Sequence, residues 1–199
     1  MKPDAATSFT FPVRPHGKFL ATREPAKLVL RELQDKIPAN TYTLVIDFTG
    51  VDAMTHSYCD EFLARYYATL ASTGNNSDST DRSPATVLLT GLEEDVRETI
   101  TICLERSDLI ALEDRDGQPF VLAASAVLNE TFEAARQLGT FTALQLAERM
   151  RVTAPNANNR LKRLVAARAL LRRPGVAERG GKEFTYAVPE LSPRETTAV

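Results

Sequence analysis

The sequence predicts an α/β fold whose layered N-terminal domain precedes a smaller domain of two helices and a β-hairpin. Apolar runs rich in β-forming residues alternate with segments of helical spacing up to about residue 125. Beyond residue 140 the pattern changes to two short helices and two alternating strands. Charge changes as well: residues 1–139 hold 13 Lys and Arg against 21 Asp and Glu, and residues 140–199 hold 11 against 5. A basic segment joined to an acidic one suggests a nucleic-acid-binding module.

The N-terminal elements follow from the spacing of apolar side chains. Helical spacing predicts three helices, over Glu24–Ile37, Ser57–Leu70 and Glu93–Glu105. Short apolar runs predict two strands buried on both faces, Thr41–Phe48 and Ala85–Leu89, and a last strand pair, Leu109–Glu113 and Pro119–Ala123, around a turn at Asp114–Gly117. The polar stretch Ser72–Ser83 is predicted to be a surface loop.

The order of these elements predicts the domain organisation. Alternating strands and helices indicate a partly parallel sheet, so residues 10–125 are expected to form one α/β domain. Ser125–Leu138 has helical spacing, and we expect residues 126–139 to connect that domain to a second one at residues 140–190.

The second domain opens with two helical patterns joined by a tight turn. Thr142 is a plausible N-cap for the first helix, which ends near Met150. The second helix is expected to start at Thr153, with Pro155 in its first turn. Its apolar face consists of Ala157, Leu161, Leu164 and Val165. The opposite face carries carboxamide and cationic side chains, which suit base edges and phosphates.

Two short strands follow this helix, Leu170–Arg173 and Glu183–Val188, with Pro174–Lys182 as the tip between them. This order of helix, turn, basic helix and hairpin resembles the winged helix-turn-helix families of bacterial transcription factors. The resemblance implies binding to double-stranded DNA. The residues expected to contact DNA are Thr153, Asn156, Asn158, Asn159, Arg160, Lys162, Arg163, Arg172, Arg173, Arg179 and Lys182. The alternative is that the module serves only dimerisation or protein contact.

The segment LVIDFTGVDAMTHSYCDEFL, residues 44–63, indicates a strand, a loop and the start of a helix. Here the chain resembles the STAS superfamily of anti-sigma-factor antagonists, and in particular STAS-like domains whose helix opens with a Ser followed by Asp-Glu. The resemblance implies a STAS-like α/β sandwich in which Ser57 is a phosphorylation site. His56, Asp60 and Glu61 would then belong to a partner-binding surface. The alternative role for Ser57 is that of an ordinary helix N-cap.

The sequence gives little sign of an enzyme. It contains no G-x-G-x-x-G, Walker or G-x-S-x-G motif, and the carboxylates of Asp47, Asp52, Asp60 and Glu61 match no metal-ligand spacing. We therefore expect no catalytic residue, no metal and no cofactor. Cys59 and Cys103 are expected to be buried, reduced thiols. Without a signal peptide or a membrane-spanning apolar segment, the protein is expected to be cytoplasmic and away from membranes.

Three functional hypotheses remain. The first is a DNA-binding transcriptional regulator whose STAS-like domain senses a protein partner or signal. The second is a partner-switching adaptor that binds an anti-sigma factor or a related ATP-binding kinase without binding DNA. The third is an enzyme built on the carboxylates between Asp47 and Glu61. Because DNA readers of this kind use paired half-sites, we expect a homodimer with its interface at Ser125–Leu138 or in the α/β domain.

Overall fold

A five-stranded sheet, parallel except at one edge, organises the N-terminal part of the computed structural model, which describes residues 7–73, 83–176 and 182–191. The strands in chain order are β1 (Ser8–Pro12), β2 (Phe19–Leu20), β3 (Thr43–Asp47), β4 (Ala53–Met54), β5 (Thr86–Thr90), β6 (Ala111–Arg115) and β7 (Gln118–Leu122). The sheet has the order β1-β3-β5-β6-β7, and only the β6–β7 pair is antiparallel. Strands β2 and β4 form a separate parallel pair.

Seven helices and three further strands complete the described chain. The helices are α1 (Arg23–Lys36), α2 (His56–Cys59), α3 (Arg65–Thr73), α4 (Glu94–Arg106), α5 (Ala126–Leu138), α6 (Ala143–Met150) and α7 (Ala154–Ala166). Residues Asp60–Ala64 between α2 and α3 form a π-helical turn, and Arg14–His16 form a 3₁₀ turn. Strands β8 (Thr140–Thr142), β9 (Leu171–Val176) and β10 (Lys182–Ala187) form an antiparallel sheet of order β8-β10-β9.

The first hydrophobic core lies between the sheet and helices α1 to α4. Successive side chains of a strand point to opposite faces, and Leu44, Ile46, Val87 and Leu89 point to this one. They pack with apolar residues of all four helices and with the buried Phe62 of the π-helical turn. The crossovers from β1 to β3, from β3 to β5 and from β5 to β6 run in the same direction through the sheet, which accounts for the helices sharing one face.

The second core lies on the opposite face of the same sheet. Leu88, Ile110 and Leu112 of the β5–β6 region belong to it, together with Leu128 and Phe132 of α5. The cluster continues without a break into the C-terminal elements, whose contributions are Phe141, Leu146, Ala147, Ala157, Leu161, Leu164, Leu170 and Tyr186. The C-terminal elements therefore share a core with the α/β layer.

The predicted α/β class is confirmed, and the predicted helices and strands occur within about three residues of their expected bounds. Two features differ. Strands β1, β2, β4 and β8 were not predicted. Three of them, β2, β4 and β8, have only two or three residues, whereas β1 alternates Phe9 and Phe11 with Ser8 and Thr10 and was missed. Helix α3 reaches Thr73, into the predicted Ser72–Ser83 loop, and residues 74–82 lie outside the described chain.

The helix predicted over Ser57–Leu70 also has a different start and a different interior. Thr55 rather than Ser57 is the N-cap, because the Thr55 side chain accepts a 3.3 Å hydrogen bond from the Tyr58 N–H. Ser57 lies two residues later, inside the first turn, so its alternative role as an ordinary N-cap is wrong. The π-helical turn then adds a residue to one turn, which shifts the angular register of the side chains that follow.

The two cysteines are free and buried, as expected. The Cys103 thiol donates to the carbonyl oxygen of His56 over 3.5 Å. A hydrogen bond with Cys103, and then burial, raises the pKa of the Cys59 thiol well above its usual value. A protonated, enclosed thiol is a poor nucleophile. In the same described ranges, no helix has the length and hydropathy that crossing a bilayer requires.

Gly91 after β5 should be the more sensitive of two glycines that share a left-handed backbone. A Cβ at Gly91 would lie 2.6 Å from the backbone nitrogen of Thr49, whereas a Cβ at Gly117 would have nothing within 4 Å. Their φ angles are +67° and +79°. We expect Gly117→Ala to cost about 1–2 kcal/mol in the free energy of unfolding, from backbone strain alone. Gly91→Ala should cost about 1–3 kcal/mol more, from overpacking.

Urea unfolding followed by circular dichroism checks this difference. Equal losses for the two variants would mean that the Thr49 loop yields to the added methyl group.

Candidate nucleic-acid interface

Helix α7 and the β9–β10 hairpin carry most of the predicted contact residues. Helix α6, which precedes α7, has Thr142 as its N-cap. The Thr142 Oγ1 accepts a hydrogen bond from the Gln145 N–H at 3.3 Å, and the Gln145 Oε1 accepts one from the Thr142 N–H at 2.8 Å. This reciprocal cap confirms the predicted start of the helix. Arg151 then takes a left-handed conformation with φ 55° and turns the chain toward α7.

Helix α7 begins as the sequence predicts. Thr153 is its N-cap, accepting a 3.4 Å hydrogen bond from the Asn156 N–H, and Pro155 lies in the first turn. Ala157, Leu161 and Leu164 are fully buried and Val165 is half-buried against the same core, which confirms the predicted apolar face. Because successive residues are turned by roughly 100° around a helix, Asn159 and Lys162 point away from that face, and both are exposed.

Two arginines of α7, Arg160 and Arg163, lie on the flank of the helix that faces the start of α5. Arg160 is half-buried, and its Nε donates to Asn156 Oδ1 at 2.6 Å while its Nη1 donates to Thr131 Oγ1 on α5 at 3.4 Å. Arg163 is paired with Asp108 in the turn that follows α4. Both guanidinium groups therefore have partners within the protein.

A groove of about 380 Å³ runs along this flank, between α7 and the start of α5. It is lined by Ser125, Val127, Leu128, Asn156, Asn159, Arg160 and Arg163. Two cations, two carboxamides and a hydroxyl thus surround a small apolar floor, a combination that suits an anionic ligand with an apolar part. Asn158, on the other flank of α7, is half-buried and does not line the groove.

The hairpin adds two exposed arginines on β9. The Arg172 guanidinium lies 3.7 Å from the centre of the Phe184 ring on β10, a cation–π contact that holds it over the hairpin. Arg173 is exposed on the same strand. Tyr186 packs on Phe141 of β8, with ring centres 5.9 Å apart, and burial raises the pKa of its phenol. Arg179 and the side chain of Lys182 lie outside the described residues.

The second predicted surface surrounds the start of α2. His56 is exposed, whereas Ser57 and Asp60 are half-buried. The position of Glu61 does not support its predicted role in a partner-binding surface. The residue is only 5% exposed, and its Oε1 lies 2.8 Å from Arg65 Nε. It lies within the π-helical turn, where its carboxylate is held as half of an ion pair.

Of the other carboxylates near this surface, that of Asp47 has a structural role. Asp47 Oδ1 accepts hydrogen bonds from the Thr49 N–H at 2.9 Å and from the Thr49 hydroxyl at 2.6 Å, which fixes the loop after β3. Asp52 is exposed. Among residues 7–73, 83–176 and 182–191, no three His, Cys, Asp or Glu side chains are grouped so as to hold a metal ion.

Sequence reasoning missed two charged residues that belong to the α7 region. Arg151 is exposed in the α6–α7 turn, where its position between two helical patterns was a usable signal. Asp108 is 55 residues away from its partner Arg163, and no local pattern could have paired them.

No family model matches this chain, and neither the curated proteins nor the solved structures contain a match.

Replacing the cap of α7 should weaken the region in a measurable way. Thr153→Ala removes the side-chain acceptor for the Asn156 N–H and should lower the free energy of unfolding by about 1 kcal/mol. Thr153→Ser keeps the acceptor and should lie within about 0.5 kcal/mol of the wild type. Thermal and urea unfolding of both variants tests this, and equal losses would contradict the capping role.

Proposed function

We propose that this protein is a DNA-binding transcriptional regulator, with a winged helix-turn-helix module at its C-terminus. The observation that carries the proposal is the outward face of α7. Ala157, Leu161 and Leu164 are buried, and the opposite side of the helix presents Asn159 and Lys162 to solvent. The hairpin that follows α7 bears the exposed Arg172 and Arg173. Carboxamide and cationic side chains are those that read base edges and phosphates in a major groove.

The order of the C-terminal elements supports this interpretation. A helix, a short strand, two helices joined by a tight turn and an antiparallel hairpin follow one another from α5 to β10. The short strand β8 pairs with β10, so the hairpin is attached to the helices at its base. This arrangement is typical of winged helices, in which the second helix of the pair enters the major groove.

Charge supports it as well. The acidic α/β part would be repelled by the DNA backbone, so the basic residues of α7 and β9 determine which side approaches a duplex. Cations that neutralise phosphates release counterions, and binding then weakens steeply with salt.

The α/β layer is proposed to be a STAS-like domain that receives a protein partner or signal. The parallel strands β1, β3, β5 and β6, with their helices on one face, support such a fold. Because the layer shares a core with α5 and the C-terminal module, a change at the start of α2 could be transmitted to α7 through packed elements. A cytoplasmic homodimer remains the expected form.

A second candidate function is that of the partner-switching adaptor. The exposed His56 and the half-buried Ser57, in the first turn of α2, favour it. A phosphoryl group on Ser57 would add roughly −2 charge to this surface. The adaptor would bind an anti-sigma-factor-like or kinase-like protein and show no salt-dependent affinity for DNA.

The first experiment measures binding of the full chain to a random-sequence and a genomic-fragment DNA pool at several salt concentrations. We expect Lys162→Ala/Arg173→Ala to lower the steepness of the log–log salt dependence by about 1.8, since each phosphate contact contributes about 0.9. The structure favours this pair over the arginines of the α7 flank, which have partners within the protein.

The matched control is Lys27→Ala/Lys36→Ala, which removes two charges from α1, far along the chain from the C-terminal module. Both lysines form exposed ion pairs, so their loss should cost little stability. Absence of binding by the wild type at low salt would overturn the proposal and favour the adaptor. Equal effects of the two double substitutions would also contradict it, because the contact face would then not be α7 and β9.

A further inference from the structure

The groove between α7 and the start of α5 is chemically suited to a phosphodiester. Arg160 and Arg163 line one side of it with two carboxamides, and none of its lining residues is acidic. A guanidinium group can donate two parallel hydrogen bonds to a phosphate. Val127, which is 46% exposed, gives the groove an apolar wall that a deoxyribose could contact. A free inorganic anion would leave that wall uncovered.

The position of the groove relates it to the proposed DNA contact face. Asn159 belongs both to the outward face of α7 and to the groove lining. A backbone strand that borders the major groove occupied by α7 would therefore pass along this flank. The groove also contains the start of α5, where the helix dipole adds to the attraction for an anion.

Arg163 already has a carboxylate partner at the edge of this groove. Its Nη2 is hydrogen-bonded to Asp108 Oδ1, and the two side chains are 45% and 85% exposed. An ion pair as exposed as this one contributes little stability, about 0–1 kcal/mol. A second anion can therefore replace Asp108 at small cost.

From these contacts we infer that a DNA backbone phosphate binds in the α5–α7 groove and replaces Asp108 as the partner of Arg163. The inference rests on the proposed function and extends it, because it assigns Arg160 and Arg163 to the backbone rather than to base edges. It also gives Asp108 a role: the Asp108 carboxylate competes with DNA and lowers its affinity.

The test compares Asp108→Asn with Asp116→Asn in the full chain, using random-sequence duplex DNA at low salt. The two aspartates are a matched pair, since both are exposed and both have a left-handed backbone, with φ 51° and 53°. Asn tolerates that conformation well, so both variants should fold. Each removes one negative charge, but only Asp108→Asn removes the charge that is paired with Arg163. We expect Asp108→Asn to bind about threefold to fivefold more tightly than Asp116→Asn, the range of an exposed ion pair.

A second comparison tests the groove itself. Ser125→Asp keeps an N-cap residue on α5 and places a carboxylate in the groove lining. Thr22→Asp makes the same change at the N-cap of α1. We expect Ser125→Asp to bind DNA about tenfold more weakly than Thr22→Asp, through repulsion of the phosphate.

The outcomes separate this inference from the function on which it rests. Salt-dependent binding by the wild type, together with no difference within either matched pair, would overturn phosphate binding in the groove and leave the proposed DNA-binding function intact. Failure of the wild type to bind at all would overturn both.

Discussion

Burial of the second face of the sheet is the constraint on which the rest of the structure depends. Helices α1 to α4 cover one face, and Leu88, Ile110 and Leu112 on the other would be exposed to water if nothing else covered them. Apolar burial contributes about 25 cal/mol per Å², so an open face of this kind would be costly. Leu128 and Phe132 of α5 cover this face, and the C-terminal elements pack into the same core.

This shared core determines which residues of α7 face solvent. With Ala157, Leu161 and Leu164 buried, the helix can rotate very little. Asn159 and Lys162 are consequently directed outward, whereas Arg160 and Arg163 are brought to α5 and to the turn at Asp108. Residues of similar chemistry in one helix thus receive different surroundings, and only the packing distinguishes them.

Periodicity predicted most of the fold because the long elements repeat their apolar residues with a clear spacing. The cap of α7 at Thr153 and its buried face were predictable for the same reason: both depend on neighbours within one or two turns. Strand β8 has only three residues, too few for an alternating pattern. The apolar residues from Tyr58 to Leu70 recur at three and four as in an uninterrupted helix, so neither the π-helical turn at Asp60–Ala64 nor the burial of Glu61 could be foreseen.

The candidate site was less predictable than the fold. Sequence spacing distinguished the buried side of α7 from the polar side, but it treated all polar residues of the helix as equivalent. Arg163 differs from its neighbour Lys162 in having Asp108 as an ion-pair partner, and Asp108 lies in the turn between α4 and β6. Contacts between elements that are distant in the chain leave no periodic signal.

The shared core also limits how this chain can be divided or recombined. A cut near residue 139 would look natural from the sequence. It would, however, expose apolar residues of the sheet and α5 in the first fragment and apolar residues of α6 and α7 in the second. Each fragment would then have an exposed apolar surface and tend to aggregate. A chimera that borrows the C-terminal elements would have to include α5 and supply its own apolar sheet face. The two parts of the sequence thus share the second core in three dimensions.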